Sequence, residues 1–274
     1  MAPELSDLFK QVDARKSQLD ALRPLPHATV ASLHDKLALE WTYNSNGIEG
    51  NTLTLRETQI VLEGITVGGK SLREHLEAIN HRAAIGWVEE LLQAGKPLTE
   101  WDVRNLHQLV LKGIAPDHAG RYRTENVAIA GASQTPPAAV LVPERMAELL
   151  RWHGDTARGL HPIERAAEFH TRFEQIHPFI DGNGRTGRLL MNFSLMQDGY
   201  PPAVLRKEYR LDYYKALDIA STQGDYGAIT RLVAEEVGRS LDTYLEVIDG
   251  RQHGLGADRR QRGAKRKGRS GVER

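Results

Sequence analysis

The segment formed by residues 177–188, His-Pro-Phe-Ile-Asp-Gly-Asn-Gly-Arg-Thr-Gly-Arg, constrains the fold of this chain more than any other feature. Apolar residues at helical spacing between positions 169 and 176 predict a buried helix that ends just before it. Pro178 prevents that helix from continuing smoothly, and the Gly-Asn-Gly run at 182–184 allows positive φ at low cost. A second helix is predicted from 184 to about 197. The segment is therefore a tight turn between two core helices.

The remaining sequence is predicted to be mostly helical. Thr54-Leu-Arg-Glu57 and Ser71-Leu-Arg-Glu74 both match the capping box, in which two side chains satisfy backbone amides at a helix start. Helices are therefore expected to begin near residues 55 and 72. With the other segments of helical periodicity, we predict helices over residues 3–22, 29–44, 72–93, 99–112, 143–158, 162–175, 184–197, 207–222 and 226–248.

Residues 113–142 break this helical pattern. Val127-Ala-Ile129 and Val140-Leu-Val142 are short β-prone runs, and Gly131-Ala-Ser-Gln-Thr-Pro-Pro137 lies between them. The arrangement predicts a short β-hairpin, or flap, in an otherwise mainly α fold.

Composition limits the classes of protein to which the chain can belong. It has 274 residues and no cysteine, which excludes disulfides, thiolate metal ligands and a cysteine nucleophile. It contains no apolar run near the ~18 residues that a membrane helix needs. Its first 22 residues are charged throughout, which predicts that there is no signal peptide. We therefore expect a cytoplasmic protein that does not bind membranes.

The net charge of zero hides an uneven distribution of charge. Residues 251–274 contain nine Lys or Arg, two acids and almost no large apolar residue. Because such a segment cannot bury a core, we predict a disordered basic tail. A solvated tail is favoured over one that binds nucleic acid or another acidic surface.

Two residues of the segment 177–188 can carry a proton or a metal ion. An unperturbed imidazole titrates near about 6.5, so His177 can accept a proton at physiological pH. An ionised Asp181 beside a phosphate requires a cation between them. This indicates Mg²⁺ held by one carboxylate together with phosphate oxygens and waters.

The rest of the segment is suited to binding an anion. The backbone of Gly182, Asn183 and Gly184 can turn successive amides inward, and the predicted helix start adds partial positive charge. Arg185 and Arg188 lie three positions apart and share a helix face, where two guanidinium groups can clamp phosphate oxygens. Each element alone is common, but the combination predicts a site for a polyphosphate and its metal ion.

The same segment resembles the signature His-Pro-Phe-x-(Asp/Glu)-Gly-Asn-Gly-Arg-x-x-Arg of the Fic family, without a departure. Fic proteins are helical enzymes, most of which transfer AMP from ATP to a hydroxyl side chain (Ser, Thr or Tyr) of a target protein. The resemblance implies that His177 is the general base and that Asp181 is the Mg²⁺ ligand. It further implies that Gly182, Asn183 and Gly184 cradle the phosphates and that Arg185 and Arg188 bind the β/γ-phosphates.

The resemblance extends beyond this segment, over roughly residues 5–245. Residues 121–137 resemble the family's flap, where an extended target segment docks by β-strand addition, although a hairpin here can also be merely structural. Tyr213 and Tyr214 resemble residues that close the adenosine pocket. Because successive helical residues point about 100° apart, at most one of them faces the ligand well, and the pair can equally be core. Gly184 favours nucleotidyl transfer, since phosphorylating relatives carry lysine at this position.

Ser45-Asn-Gly-Ile-Glu49-Gly50 fits the Fic inhibitory motif (Ser/Thr)-x-x-x-Glu-(Gly/Asn). The pattern is degenerate, but its position at the end of a predicted helix upstream of the core supports the match. The resemblance implies that Glu49 pairs with Arg188, removes a γ-phosphate ligand and leaves bound ATP misaligned. The other interpretation of Glu49 is a plain carboxylate at a helix end.

Together these observations predict a mainly α, Fic-fold helical bundle in three parts. Residues 1–98 form an N-terminal helical region with the inhibitory motif at 45–50, residues 99–250 a catalytic domain, and residues 251–274 the basic tail. The predicted activity is AMP transfer to a target protein, or to the chain itself, inhibited by the pairing of Glu49 with Arg188.

Several alternatives to this prediction stay open. The chain can be a Fic-fold transferase with another donor, an enzyme that removes AMP with a water positioned by Glu49, or a non-enzymatic regulator. ATP and a target protein are the expected partners, and binding to nucleic acid is not expected. The helical surfaces would allow a homodimer, but no feature of the sequence identifies an interface for one.

Overall fold

The computed structural model describes residues 3–267, and within them the side chains of residues 4–248. This part of the chain is mainly α, and none of its helices is both long enough and apolar enough to cross a bilayer. Its helices are α1 (Pro3–Ala21), α2 (His27–Ile48), α3 (Leu55–Leu62), α4 (Leu72–Ala94), α5 (Glu100–Val110), α6 (Val142–Gly154), α7 (Pro162–Ile176), α8 (Asn183–Gln197), α9 (Arg210–Gln223) and α10 (Gly227–Lys267), with short 3-10 turns at Ala139–Leu141, Thr156–Gly159 and Lys207–Tyr209.

Local signals explain where several helices begin. Thr54 and Ser71 form the predicted capping boxes, each accepting a hydrogen bond from the backbone amide three residues later. Thr99 does the same at the start of α5. Proline occupies the first turn of α6 and of α7, where its missing N–H removes no helical hydrogen bond.

Helices α7 and α8 lie at the centre of the molecule, between two hydrophobic clusters. One cluster joins α1, α9 and α10 to one side of the pair, where Ala167 and Met191 are buried. The other joins α2, α4, α5 and α6 to the opposite side through Phe169, Phe173 and Phe193. Burying one large side chain contributes about 1.5–3 kcal/mol. The α7–α8 pair, and the turn that joins it, is therefore held from both sides.

The predicted β-hairpin is not confirmed, since residues 3–267 contain no β-strand. Residues 124–138 form an irregular loop whose backbone groups bind side chains instead of a partner strand. Asn126 Oδ1 accepts a hydrogen bond from Ala139 N at 2.8 Å, and Arg123 donates to the Pro137 carbonyl. Pro136 and Pro137 have no amide to give to a ladder. At these positions side chains therefore take hydrogen bonds that a partner strand would otherwise form.

Two helices run further than the sequence predicted. Helix α2 continues to Ile48, so Ser45 lies in its last turn and Glu49 is its C-terminal capping residue. Helix α10 continues to Lys267 and so carries residues 251–267 of the segment for which composition predicts disorder. Arg, Lys, Gln and Ala are common in this stretch and are good helix formers. The rest of the predicted tail, 268–274, lies outside the described residues.

Candidate functional site

His177 ends helix α7 in a left-handed conformation, with φ 48° and ψ 60°. Among the residues that the structure describes, it is the only non-glycine residue with positive φ. Such a backbone costs about 1–3 kcal/mol and persists only when its surroundings hold it. Burial, with the nearby Arg123 guanidinium, lowers the pKa of His177 to about 4. The imidazole is therefore neutral at physiological pH and can accept a proton.

Asn183 closes the turn after His177. Its side chain accepts a hydrogen bond from Phe179 N at 2.9 Å and donates to Phe179 O at 2.8 Å. The Phe179 ring stacks on His107, whose Nε2 donates to the Asp181 carbonyl at 2.8 Å. Burial lowers the pKa of His107 to about 4, which keeps it in the neutral form that these contacts use. The Asn183 side chain is thus occupied by the loop itself, and only its backbone can face a phosphate.

The N-terminus of α8 begins without a side-chain cap. Gly182 is the capping residue, with φ 79°, and no side chain binds the first amides of the helix. Uncapped amides at a helix start attract anions. A Cβ added to Gly184 would contact the Glu49 carboxylate and lie 3.0 Å from Arg188 Nη1. The absence of a side chain at 184 therefore leaves this helix end open.

Asp181 and Arg185 belong to a network of charges that reaches helix α4. Arg73 Nη2 lies 2.6 Å from Asp181 Oδ2, and Arg185 Nη2 lies 3.3 Å from Asp181 Oδ1. Burial alone would raise the pKa of Asp181, but the two guanidinium groups outweigh it and lower the pKa. Glu77 Oε1 lies 3.0 Å from Arg73 Nε and 3.3 Å from Arg185 Nη1. The carboxylate of Asp181 is consequently ionised.

Arg185 keeps capacity for an anion. Its side chain is only 2 % exposed, and its Nε has no hydrogen-bond partner among the described residues. An unpaired buried donor is costly, and a phosphate oxygen at the open end of α8 would satisfy it.

The donors around Asp181 suit a metal ion that also binds phosphate. Within the described residues, no three His, Asp or Glu side chains converge on a common metal position. Mg²⁺ commonly takes one or two carboxylates and completes its shell with phosphate oxygens and waters, which is what Asp181 alone permits. Arg73 would have to leave Asp181 Oδ2, and its 56 % exposed side chain has room to do so.

Arg188 is buried and donates three hydrogen bonds to the segment 45–50. Its Nε donates to Ser45 Oγ at 3.0 Å, and its Nη2 donates to Ser45 O at 2.8 Å and to Glu49 Oε1 at 2.7 Å. Burial would lower the pKa of Arg188, but the Glu49 carboxylate raises it, so the guanidinium stays charged. Gly50 then turns the chain away with φ 98°. Residues 139 positions apart are thus in direct contact.

A cavity of about 460 Å³ opens beside these groups. Glu49, His177 and Arg188 line one side of it, and residues 129–136 of the irregular loop form another. The loop is tied across to α9, since Ser133 N and Oγ donate to the Asp218 carboxylate at 2.8 and 2.9 Å. Volumes of about 300–1,000 Å³ are typical of small-molecule sites.

Tyr213 and Tyr214 both line this cavity, at different depths. Tyr213 is buried, with its hydroxyl 2.7 Å from His170 Nε2 and 3.4 Å from Arg188 Nη1. Tyr214 is partly exposed, and its hydroxyl donates to the Ile48 carbonyl at 3.3 Å. Tyr213 therefore supports Arg188 from behind, while Tyr214 offers its ring to the cavity.

Sequence reasoning missed two charged residues of this site. Glu174 lines the cavity, and burial raises the pKa of its carboxyl to about 8. A signal was available, because Glu174 lies three residues before His177 and so on the same side of the helix end. Arg73 had no such signal, since its partner Asp181 is 108 positions away.

Comparisons with known proteins find relatives of similar sequence and similar fold. Residues 97–195 match the model of the Fic/DOC family. The chain is 35 % identical over 249 residues to the Protein adenylyltransferase Fic of Drosophila ananassae, covering 88 % of this chain and 50 % of that relative. The structure of Fic-1 from C. elegans is 30 % identical with a TM-score of 0.82, covering 90 % of this chain and 73 % of that one. A Fic domain containing signaling protein from Bacteroides thetaiotaomicron is 29 % identical with a TM-score of 0.79, covering 89 % and 97 %.

The central turn of this helical bundle places a neutral histidine beside an uncapped helix N-terminus and two arginines, an arrangement suited to binding an anion. The chain belongs to the Fic/DOC family. Among its relatives are proteins named protein adenylyltransferase, and the chain spans about half the length of these curated relatives.

Proposed function

We propose that this chain transfers AMP from ATP to a hydroxyl side chain of a target protein. The observation that carries the proposal is the convergence of His177, the open N-terminus of α8 and Arg188 on one cavity. The proposal is also supported by the name of the relatives, one of which is 35 % identical to this chain over 249 aligned residues.

The reaction follows from the positions of these groups. The target hydroxyl attacks the α-phosphorus of ATP, a new O–P bond forms, and the bond to the β-phosphate breaks to release pyrophosphate. His177 takes the hydroxyl proton, as its neutral imidazole permits. The α8 amides and the guanidinium groups of Arg185 and Arg188 bind the phosphates and stabilise the charge that moves onto the leaving pyrophosphate.

Asp181 would hold Mg²⁺ together with the phosphates, as its ionised carboxylate permits. The ion would neutralise phosphate charge and orient the α- and β-phosphates. The target is proposed to dock on the loop 121–137, where an extended segment could pair with the free backbone groups of the loop.

Glu49 is proposed to hold the enzyme inactive. Its Oε1 accepts a hydrogen bond from Arg188 Nη2 at 2.7 Å, which places negative charge where the γ-phosphate would bind. ATP could still enter, but without this ligand its α-phosphate would not be aligned for attack by the hydroxyl. The open state would require the last turn of α2 to move Glu49 away from Arg188.

The experiment that tests this function is Mg²⁺-dependent labelling of a cell lysate with ATP labelled in its α-phosphate. Glu49→Gly should label one or more proteins, the wild type far fewer, and Glu49→Gly combined with His177→Ala none. Addition of EDTA, which removes Mg²⁺, should abolish the labelling by Glu49→Gly. Labelling that persists without His177 would contradict its role as the base. If Glu49→Gly labels no protein, the proposed AMP transfer fails, and a panel of other nucleotide donors would then test the alternatives.

Removal of AMP from a target is a second candidate, favoured by the presence of both Glu49 and His177 at the same cavity. Glu49 could position a water for attack on the phosphorus of a modified side chain. Purified AMP-modified target incubated with wild type and with Glu49→Gly decides this role. Release by the wild type alone supports it, and equal release by both proteins contradicts it.

A further inference from the structure

Arg123 is a buried arginine that binds only main-chain carbonyls. Its residue is 3 % exposed, and among the described residues no carboxylate pairs with it. Its guanidinium donates four hydrogen bonds, from Nε to His177 O at 2.8 Å, from Nη2 to Ile176 O at 3.3 Å, from Nη1 to Glu125 O at 3.0 Å, and from Nη2 to Pro137 O at 2.6 Å.

Two of these bonds hold the end of helix α7. The last carbonyls of a helix lack intrahelical partners, and Arg123 satisfies those of Ile176 and His177. The Arg123 amide also donates to Pro178 O at 2.9 Å. These contacts surround the residue whose φ of 48° is unfavourable without support. The direction of the His177 imidazole depends on this backbone conformation.

The other two bonds hold the irregular loop. Glu125 and Pro137 stand near the two ends of the loop 124–138, and Arg123 binds the carbonyl of each. One planar guanidinium therefore joins both ends of the loop to the backbone of His177. A lysine could not replace it, because an ammonium offers its donors from a single point, whereas arginine spreads five donors over a rigid plane.

We propose that Arg123 is a positioning residue of the transferase reaction, which fixes the His177 imidazole relative to the loop that roofs the cavity. Docking of a target on the loop and placement of the base are then mechanically linked through one side chain. The inference rests on the proposed role of His177 as the general base.

Two variants test this role in the full-length chain. Arg123→Met removes the charge and all four side-chain hydrogen bonds, and Arg123→Lys keeps the charge but not the planar geometry. Arg151→Met is the matched control, since it makes the same substitution at an exposed arginine of α6. All three are made with and without Glu49→Gly, and circular dichroism checks that each variant folds.

The first two measurements do not depend on catalysis. Histidine NMR titration reports the pKa of His177, whose signal is identified by its loss in His177→Ala. Burial is the larger cause of the low pKa and remains in both variants, so we expect only a partial rise in Arg123→Met, where the nearby charge is lost, and a low pKa in Arg123→Lys. Hydrogen exchange should accelerate in residues 124–138 in both Arg123 variants, while the amides of α8 stay protected and Arg151→Met stays like the parent.

The third measurement is the steady-state rate of self-labelling with ATP in the Glu49→Gly background. We expect kcat to fall about tenfold to hundredfold in Arg123→Met, because displacement of a reacting group by about 1 Å has effects of this size. KM for ATP should not change, since the phosphate ligands are untouched. Arg123→Lys should recover only part of the rate.

Unchanged exchange in the loop of Arg123→Met would overturn the inference whatever the pKa of His177, since loss of the charge alone raises that pKa. A uniform rise of exchange over the whole molecule would also overturn it, since it would show a purely structural role. If Glu49→Gly transfers no AMP, the proposed function fails, but the NMR and exchange measurements still decide whether Arg123 links the loop to His177.

Discussion

Release of Arg188 by substitution of Glu49 should activate the protein by about tenfold or more. The ion pair joins a side chain that is 2 % exposed to one that is 31 % exposed. A hydrogen bond to a charged group contributes about 1.5–3 kcal/mol, and partial solvent access to Glu49 favours the lower end. Since 1.36 kcal/mol corresponds to a factor of ten, loss of the pair should shift the population towards the open state by about that factor.

The chemistry of the replacement predicts an order of rates. Glu49→Gly removes the side chain that residue 49 places on Arg188 and should be the most active variant. Glu49→Gln keeps an acceptor for the charged guanidinium but loses the ion pair, so its contact with Arg188 is weaker than in the wild type and its rate should be intermediate. The assay is the initial rate of AMP incorporation at saturating ATP and Mg²⁺, and calorimetry should show that ATP binds to the wild type as well.

Glu63→Gln is the matched control for these variants. Glu63 is also the C-terminal capping residue of a helix, α3, but it is exposed and does not contact Arg188. Its substitution should leave the rate at the wild-type level. Equal rates for wild type, Glu49→Gln and Glu49→Gly, with His177→Ala silent, would refute the reasoning and leave Glu49 as a plain helix-end carboxylate.

Three further substitutions test the geometry of the site. In the Glu49→Gly background, where the Glu49 carboxylate no longer meets a Cβ at 184, Gly184→Ala should weaken ATP binding about tenfold in calorimetry, because its methyl group enters the phosphate cradle beside Arg188; an unchanged Kd would contradict this. Asn183→Ala should lower the free energy of unfolding in urea by about 1–3 kcal/mol, because both buried hydrogen bonds to Phe179 are lost; unaltered unfolding would show that the turn closes without them. Burial raises the pKa of Glu174 from 4.5 to about 8, so the native state binds the extra proton and stability falls as the pH rises through this window. Glu174→Gln should remove this pH dependence, worth about 2 kcal/mol after allowance for solvent access, and a pH-stability curve that still matches the wild type would contradict the assignment.

The parts of the fold that the sequence predicted are those fixed by local interactions. The capping boxes at Thr54 and Ser71 involve residues three apart, and both helices begin where expected. The turn at 177–188 was predictable for the same reason, since its glycines and its proline act on neighbouring residues. Helix ends were less predictable, and α2 reaches Ile48 because Ser45 packs on Arg188 far along the chain.

The parts that the sequence could not predict depend on contacts between distant segments. Of the two β-prone runs, 127–129 lies in the irregular loop, whereas 140–142 belongs to a 3-10 turn and the start of α6. Side chains such as Arg123 and Asn126 take hydrogen bonds that a partner strand would use. The Asn183 side chain binds Phe179 rather than facing the open helix end, and only the folded turn reveals this. Arg73 reaches Asp181 across the N-terminal region.

The central claim is that this chain transfers the AMP moiety of ATP and that Glu49 restrains the transfer. The most direct measurement gives Glu49→Gly two forms of ATP in parallel reactions, one labelled in the α-phosphate and one in the γ-phosphate, and compares the label that protein acquires. Protein should acquire the α-label and not the γ-label, the wild type should transfer far less label than Glu49→Gly, and His177→Ala should abolish the signal. Incorporation of the γ-label, or equal α-labelling by wild type and Glu49→Gly, would contradict this claim.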